Sequence, residues 1–301
     1  MKNIILMLLK LCISATIIYY VFSGMNIEKI WLELKSVNIF YLIAAGLVLP
    51  VSLFFMTLKW KVFLNKYHNV RISELMKTYW ASDFINLFAV GTIGSEFYKM
   101  FSFRDKKKEV LLSSLVDRGY SFVWYGLFSG SLFLLFIYFG NSLPSLFFGL
   151  LLFTVAALFF SFIVVPAIST LISYIKVTHV HFILSESMRS VLELKKHALY
   201  STLYLFSTLA SFSLLFYAVG LPVMAFELLI FIPILAIGVS LPISFQGIGV
   251  REYLFLSFAS MVGLNPEKIL LVAITSFFLM LIYRLFGLMP FLLLNKEHSS
   301  S

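Results

Sequence analysis

Four short stretches of this sequence place ionisable side chains among residues that are almost all hydrocarbon. QGIGVREYLF (246–255) carries Gln246, Arg251 and Glu252, and VGTIGSEFYK (90–99) carries Glu96 and Lys99. LVDRGYSF (115–122) carries Asp117 and Arg118, and LIYRLFGLMP (281–290) carries Arg284. Asp83 and Asn86 stand just ahead of VGTIGSEFYK. A charge at the centre of a bilayer costs ~2.5–3.5 kcal/mol on insertion scales, so each of these groups needs a partner or a wet cavity. Two uses fit. In the first, Glu96, Asp117 and Glu252 pair with Lys99, Arg118, Arg251 and Arg284 and hold helices together, or the charges snorkel to the surface; Lys99, Asp117 and Arg118 suit this use. In the second, the groups line a pocket for a charged headgroup. An arginine there meets a phosphate through paired hydrogen bonds, and helix N-termini add N–H groups aimed at the anion.

Other chemistries find little support. No Walker A loop, HExxH, G-x-S-x-G or aspartate-rich sugar-nucleotide element occurs. His179 and His181 form the closest histidine pair, but they sit in a basic stretch without a third ligand, so neither a metal nor a cofactor is expected. Cys12, the single cysteine, reads as a small buried hydrophobe.

The elements that must carry these groups are membrane helices. Of 301 residues, 61% are hydrophobic and 12% charged, 34 are Phe, and the mean hydropathy is +0.98. A soluble domain has about 25% charged and about 45–50% apolar residues. A spanning helix needs about 20 predominantly apolar residues, and such stretches lie at roughly 4–23, 39–58, 111–139, 146–168, 199–220, 224–243 and 269–294. The first has a basic start and no clear cleavage site, and reads as a retained signal-anchor. Segments 79–103 and 244–264 are apolar but interrupted by glycine and charge.

Charge sets the orientation. Lys59, Lys61, Lys66, Arg71 and Lys77, the run RDKKKE (104–109) and the linker 175–197 are basic, whereas 140–145 and 220–223 carry no charge. The basic segments are therefore expected on the cytoplasmic side, with the N-terminus, and the net charge of +9 speaks for anionic lipid rather than nucleic acid. Both flanks of 79–103 then lie on one side, and about 25 residues broken by Gly91 and Gly94 suit a re-entrant hairpin. The alternative is a long cytoplasmic domain over 59–103. Linker 175–197, with Ile183, Leu184, Met188, Val191, Leu192 and Leu194 among charges, reads as an amphipathic surface helix. VGTIGSEF and QGIGVREY echo each other, a glycine break followed by a carboxylate and an aromatic, as when broken helices from two repeats meet at one site.

NLFAVGTIGSEFYKMF, LVDRGYSF, LPISFQGIGVREYLF and LIYRLFGLMPFLL together resemble the lysylphosphatidylglycerol synthase transmembrane-region family, which includes the flippase half of the bacterial multiple peptide resistance factor. In the family's first motif Asn86 and Glu96 match, Ala89 or Val90 stands where proline is usual, and Lys99 replaces an arginine. Asp117-Arg118 match the next motif, and Pro242, Gly247, Gly249, Arg251 and Glu252 match the last most closely. The soluble aminoacyl-transferase domain of the full-length synthases is missing from this sequence, so lysyl transfer is not expected.

The resemblance implies an all-α polytopic integral membrane protein of the bacterial or archaeal inner membrane. We expect about 7–8 transmembrane helices plus two re-entrant or broken elements at 79–103 and 241–264, in one flippase-like domain over 1–295 with a polar tail at 296–301. The expected activity is translocation of a phospholipid or polyprenyl-linked glycolipid. Asn86, Glu96, Lys99, Asp117, Arg118, Gln246, Arg251, Glu252 and Arg284 would form the headgroup cavity, and Gly91, Gly94, Pro242, Gly247 and Gly249 would break the helices. The alternatives are a membrane-embedded transferase, or an accessory subunit or scaffold for envelope-biosynthesis enzymes.

Overall fold

The computed structural model describes residues 27–88, 93–103, 106–138, 191–221, 225–240 and 246–299, with isolated positions at 16, 19, 23 and 223. Every regular element among the described residues is helical. In chain order they are α1 (Ile27–Lys35), α2 (Ile39–Leu64), α3 (Ile72–Ile85), a 3₁₀ turn (Asn86–Phe88), α4 (Ile93–Ser102), α5 (Lys107–Tyr138), α6 (Val191–Ala218), α7 (Ala225–Ser240), α8 (Val250–Val262), α9 (Pro266–Leu285) and α10 (Leu288–Ser299). The expected spans 4–23 and 146–168, most of linker 175–197, Cys12, the pair His179 and His181, Gly91 and Pro242 lie outside the described residues.

Among the described residues, three stretches, Ile39–Leu64, Glu193–Ala218 and Pro266–Leu294, are long and apolar enough to cross a membrane. α2 shows why. Ile39, Ile43, Leu47 and Val51 repeat at helical spacing and face outward, the pattern of a lipid-facing stripe rather than a water-facing one. Its other face is small and polar where it meets α6: Ser52 Oγ donates to Ser207 Oγ at 2.9 Å, and Ser211 Oγ donates to the Ala45 carbonyl at 3.1 Å. Small residues let membrane helices approach closely, and their hydroxyls bond across the seam. The helix begins where Asn38 Oδ1 accepts the Phe40 N–H at 3.0 Å.

Several expected boundaries move. α2 continues six residues past 58, because Lys59 is not a loop charge but is buried and paired inside the bundle. Residues 191–197 of the expected surface linker are the first turns of α6, not a separate amphipathic helix. Stretch 269–294 is two helices jointed at Phe286-Gly287, and α10 runs on to Ser299.

Two helical hairpins organise the interior. α3 and α4 have 14 and 10 residues, about 21 and 15 Å at 1.5 Å per residue, too short for a hydrocarbon core of about 30 Å. The chain entering α3 and the chain leaving α4 lie side by side: Lys106 Nζ donates to the Tyr67 carbonyl, and the His68 and Phe103 rings meet edge-on at 5.6 Å. This hairpin therefore opens at the Leu64 end of α2. α7 and α8, of 16 and 13 residues, form the second. Phe231 stacks on Phe258 at 4.4 Å while Gly238 faces Leu254, an antiparallel register. It opens at the opposite end, because α7 follows Ala218, whose carbonyl accepts the Asn38 N–H at 2.8 Å. α8 likewise ends three residues short of α9, whose Lys268 pairs with Glu33 of α1 at 3.6 Å. The two hairpins thus enter from opposite faces.

Candidate functional site

The hairpin tips touch. Gln246, at the tip of the second, donates through Nε2 to the backbone carbonyl of Asn86, at the tip of the first, and its Oε1 accepts from Arg284 Nη1 at 2.8 Å. The local backbone explains how Gln246 gets there. Gln246, Gly247 and Gly249 all adopt positive φ (54°, 75° and 88°), a region that L side chains avoid. A Cβ on Gly247 would also stand 2.6 Å from Val239 Cγ1. The tight turn reverses the chain before α8 begins, and the Arg251 N–H then closes on the Gly247 carbonyl at 2.9 Å.

Beside this junction is a cavity of about 270 Å³, bounded by Phe88, Gln246, Arg251, Phe277, Leu281 and Arg284 among others. Its walls are apolar except for Gln246 and the two guanidinium groups. Arg251 is 8% exposed, lies over the Phe277 ring at 5.2 Å, and buries Nη1 without a hydrogen-bond acceptor among the described residues. Arg284 stands close enough for the two positive charges to repel. Glu252 does not face the cavity. Its Oε2 accepts the Gly249 N–H at 2.6 Å, so the carboxylate caps its own helix, although its charge is felt by Arg251. Glu252 thus satisfies an N–H at the start of α8, where the first-turn N–H groups have no partner within the helix.

A second cluster lies between α3, α4 and α5. Glu96 accepts from Arg118 Nη2, from Ser114 Oγ and, at 3.4 Å, from Lys99 Nζ. Lys99 is 3% exposed and sits 3.8 Å over the Tyr79 ring and 5.1 Å from that of Trp60. It does not snorkel, because its hairpin folds the ammonium against aromatic faces and a carboxylate.

The next turn of α5 belongs to a third cluster. Asp117 Oδ1 lies 2.9 Å from His197 Nε2 of α6, and Asp117 Oδ2 lies 3.6 Å from Lys59 Nζ of α2. Lys59 Nζ also donates to Ser121 Oγ at 2.6 Å. Asp83 links the groups electrostatically, since it feels the charges of Arg284 and Lys99 together.

The candidate residues thus divide. Asn86, Gln246, Arg251 and Arg284 meet at the tips; Glu96, Lys99 and Arg118 pair with one another; Asp117 pairs away from them. Gly94 lies in the first turn of α4, just after residues 89–92, which are outside the described residues. Lys59 and His197 were missed, Lys59 because it was counted as a loop charge and His197 because it closes a basic linker. Their signal was the apolar neighbourhood on one side of each, FFMTLKWKVF and KKHALYSTLY.

Against models of protein families, residues 7–291 match the one described as lysylphosphatidylglycerol synthase TM region. No curated protein matches the chain significantly.

Proposed function

The chain belongs to the lysylphosphatidylglycerol synthase transmembrane-region family, and from that premise we propose that it moves a phosphate-bearing lipid, a phospholipid or a lipid-linked glycolipid, between the leaflets of a cytoplasmic membrane. Membership of the family and the apolar helices already make it a membrane protein with a lipid-related role.

One observation carries the reading. Two guanidinium groups, one with a buried Nη1 lacking an acceptor among the described residues, face a cavity whose remaining walls are largely hydrocarbon. Buried like charges are costly, and an anion between them relieves the cost. The space is slightly below the roughly 300–1,000 Å³ of ligand sites, so it suits a headgroup rather than a whole lipid. Arg251 and Arg284 hold the phosphate, Gln246 fixes Arg284, and Phe277, Met280 and Leu281 lead from the phosphate toward acyl chains. The opposed hairpins make a half-depth site that either face can reach by small movements of one hairpin against the other. The orientation proposed with it puts the Leu64 end, with its basic connections, in the cytoplasm.

The test is leaflet exchange in proteoliposomes carrying fluorescent phosphatidylglycerol, read by dithionite quenching of the outer leaflet. The protein should exceed empty vesicles, and Arg251→Ala with Arg284→Ala should cut the excess about tenfold or more, as expected for charged hydrogen bonds of ~1.5–3 kcal/mol. Exchange no faster than in empty vesicles sinks the reading.

A further inference from the structure

The joint between α9 and α10 turns the chain without losing helical phase. On α9 the cavity wall is Phe277, Met280, Leu281, Arg284 and Leu285. On α10 the same stripe goes on through Leu288, Met289, Leu292 and Leu293. Steps of three residues and of one alternate from end to end, the spacing of a single helix face. The backbone at the joint explains the continuity. The Phe286 N–H reaches the Ile282 carbonyl at 3.3 Å, and the Phe291 N–H reaches that of Gly287 at 3.2 Å, each four residues back as in an unbroken helix.

Along the α10 half of this stripe lies a second hollow, a groove of about 450 Å³ lined, among the described residues, by Leu285, Phe286, Leu288, Met289, Leu292 and Leu293. Leu285 borders both spaces, so the groove begins where the arginine cavity ends. These lining side chains are all apolar, and Leu285 to Leu293 covers about 12 Å at 1.5 Å per residue. The volume falls within the roughly 300–1,000 Å³ of ligand sites. α10 is held from behind, where Phe291 rests on Phe84 of α3 and Tyr98 of α4 at 5.7 and 5.6 Å. Met289 and Leu292 stay outward, 70% and 57% exposed.

We propose that this groove receives one acyl chain of the lipid whose phosphate lies between Arg251 and Arg284. An apolar trough joined to a pair of guanidinium groups matches the layout of an anionic lipid, a charged head continuous with hydrocarbon. Along the stripe, the groove and Phe277 lie on opposite sides of Arg284, so the two chains of a phospholipid find separate walls. Hydrocarbon alone would not choose this place, because a lipid tail is as apolar as the leucines and gains little by leaving its neighbours. Attachment to a bound phosphate makes the difference, since it holds the chain beside the groove at high effective concentration. The inference rests on the reading of the two arginines as a phosphate site; it does not need the lipid to cross the membrane.

The experiment uses the full chain in dodecyl maltoside micelles, which contain no phosphate. Two photoreactive probes, a phosphatidylglycerol and a diacylglycerol, carry the same diazirine midway along one acyl chain, and mass spectrometry locates the adducts. Phosphatidylglycerol should label residues 285–293 about tenfold more than diacylglycerol does, the discrimination expected of charged hydrogen bonds. Both should label the outward stripe of α2 at Ile43 and Leu47 alike. Arg251→Gln with Arg284→Gln should remove the preference on α10 and leave the α2 adducts unchanged. Equal labelling of 285–293 by the two probes, or a preference that survives the double replacement, overturns the proposal. A second copy or another segment of the chain seated in the groove would shield it from both probes, and that result overturns it as well. The ratio of adducts on the unmutated protein decides the case even if the variant does not fold. Leaflet exchange is a separate readout. Preferential labelling without exchange leaves the groove standing and removes translocation, whereas exchange with equal labelling removes the groove alone.

Discussion

Glu96 and Glu252 occupy matching places, each in the first turn of the helix that follows a break, yet they do different work. Glu96 accepts from two cations and a serine of two helices, whereas Glu252 accepts a backbone N–H of its own. Their substitutions should separate accordingly. Glu96→Gln leaves the buried Lys99 and the part-buried Arg118 without a carboxylate, which should cost about 3 kcal/mol. Glu252→Ala removes a helix cap worth about 0.5–2 kcal/mol, and Glu252→Gln, which keeps an oxygen acceptor, should cost less still. Thermal unfolding in detergent checks the order; a Glu96→Gln midpoint at or above that of Glu252→Ala would contradict it.

The helices owe their places to a few backbone requirements. At the α9–α10 joint, a Cβ on Gly287 would stand 2.4 Å from the Trp80 carbonyl oxygen and 3.0 Å from Phe84 Cβ. The joint is held against α3 by Trp80, whose Nε1 donates to the Tyr283 carbonyl at 3.0 Å while its ring stacks on Tyr283 at 5.3 Å. A backbone oxygen cannot swing aside as a side chain can, so Gly287→Ala must push α10 off α3, costing about 1–3 kcal/mol. Because Arg284 is one turn away, the variant should also lower leaflet exchange and shift tryptophan fluorescence. A stable variant with wild-type emission would show that the contact is dispensable. Gly247→Ala meets both the positive φ and the Val239 side chain, and should be worse than a substitution at Gly263, where a Cβ meets open space.

Among the described residues, two short hairpins open on opposite faces of a bundle whose long helices are α2, α5, α6 and α9. The Gln246 side chain joins the tips, donating to the Asn86 carbonyl and accepting from Arg284. The arrangement fixes which positions share a face. With Cys12 replaced by serine, single cysteines at Asn69 and Lys107 should label with an impermeant reagent from one side of the membrane, and those at Ser36 and Pro266 from the other. Labelling of Asn69 and Lys107 from opposite sides would mean that α3 and α4 cross instead of turning back.

Much of this was open to a reader of the residues. Hydrophobic runs, the glycine-rich breaks and the basic connections are local properties, so the helical membrane class follows from composition and short spacing, and the four motif strings carry the family resemblance. QGIGVREY in particular announces a turn, since two glycines in four residues suit a backbone of positive φ. Partnership is not local. Glu96 and Glu252 look alike in the sequence, and what separates them is which group each approaches across space. Lys59 and His197 are 138 residues apart and pass for loop charges until α2, α5 and α6 pack and Asp117 comes between them. Nor could the opposite openings of the hairpins be read from the chain, because they depend on which ends of α2 and α6 lie together. Burial and pairing are products of packing, and here packing alone chose which charges pair inside the bundle and which arginines face the cavity.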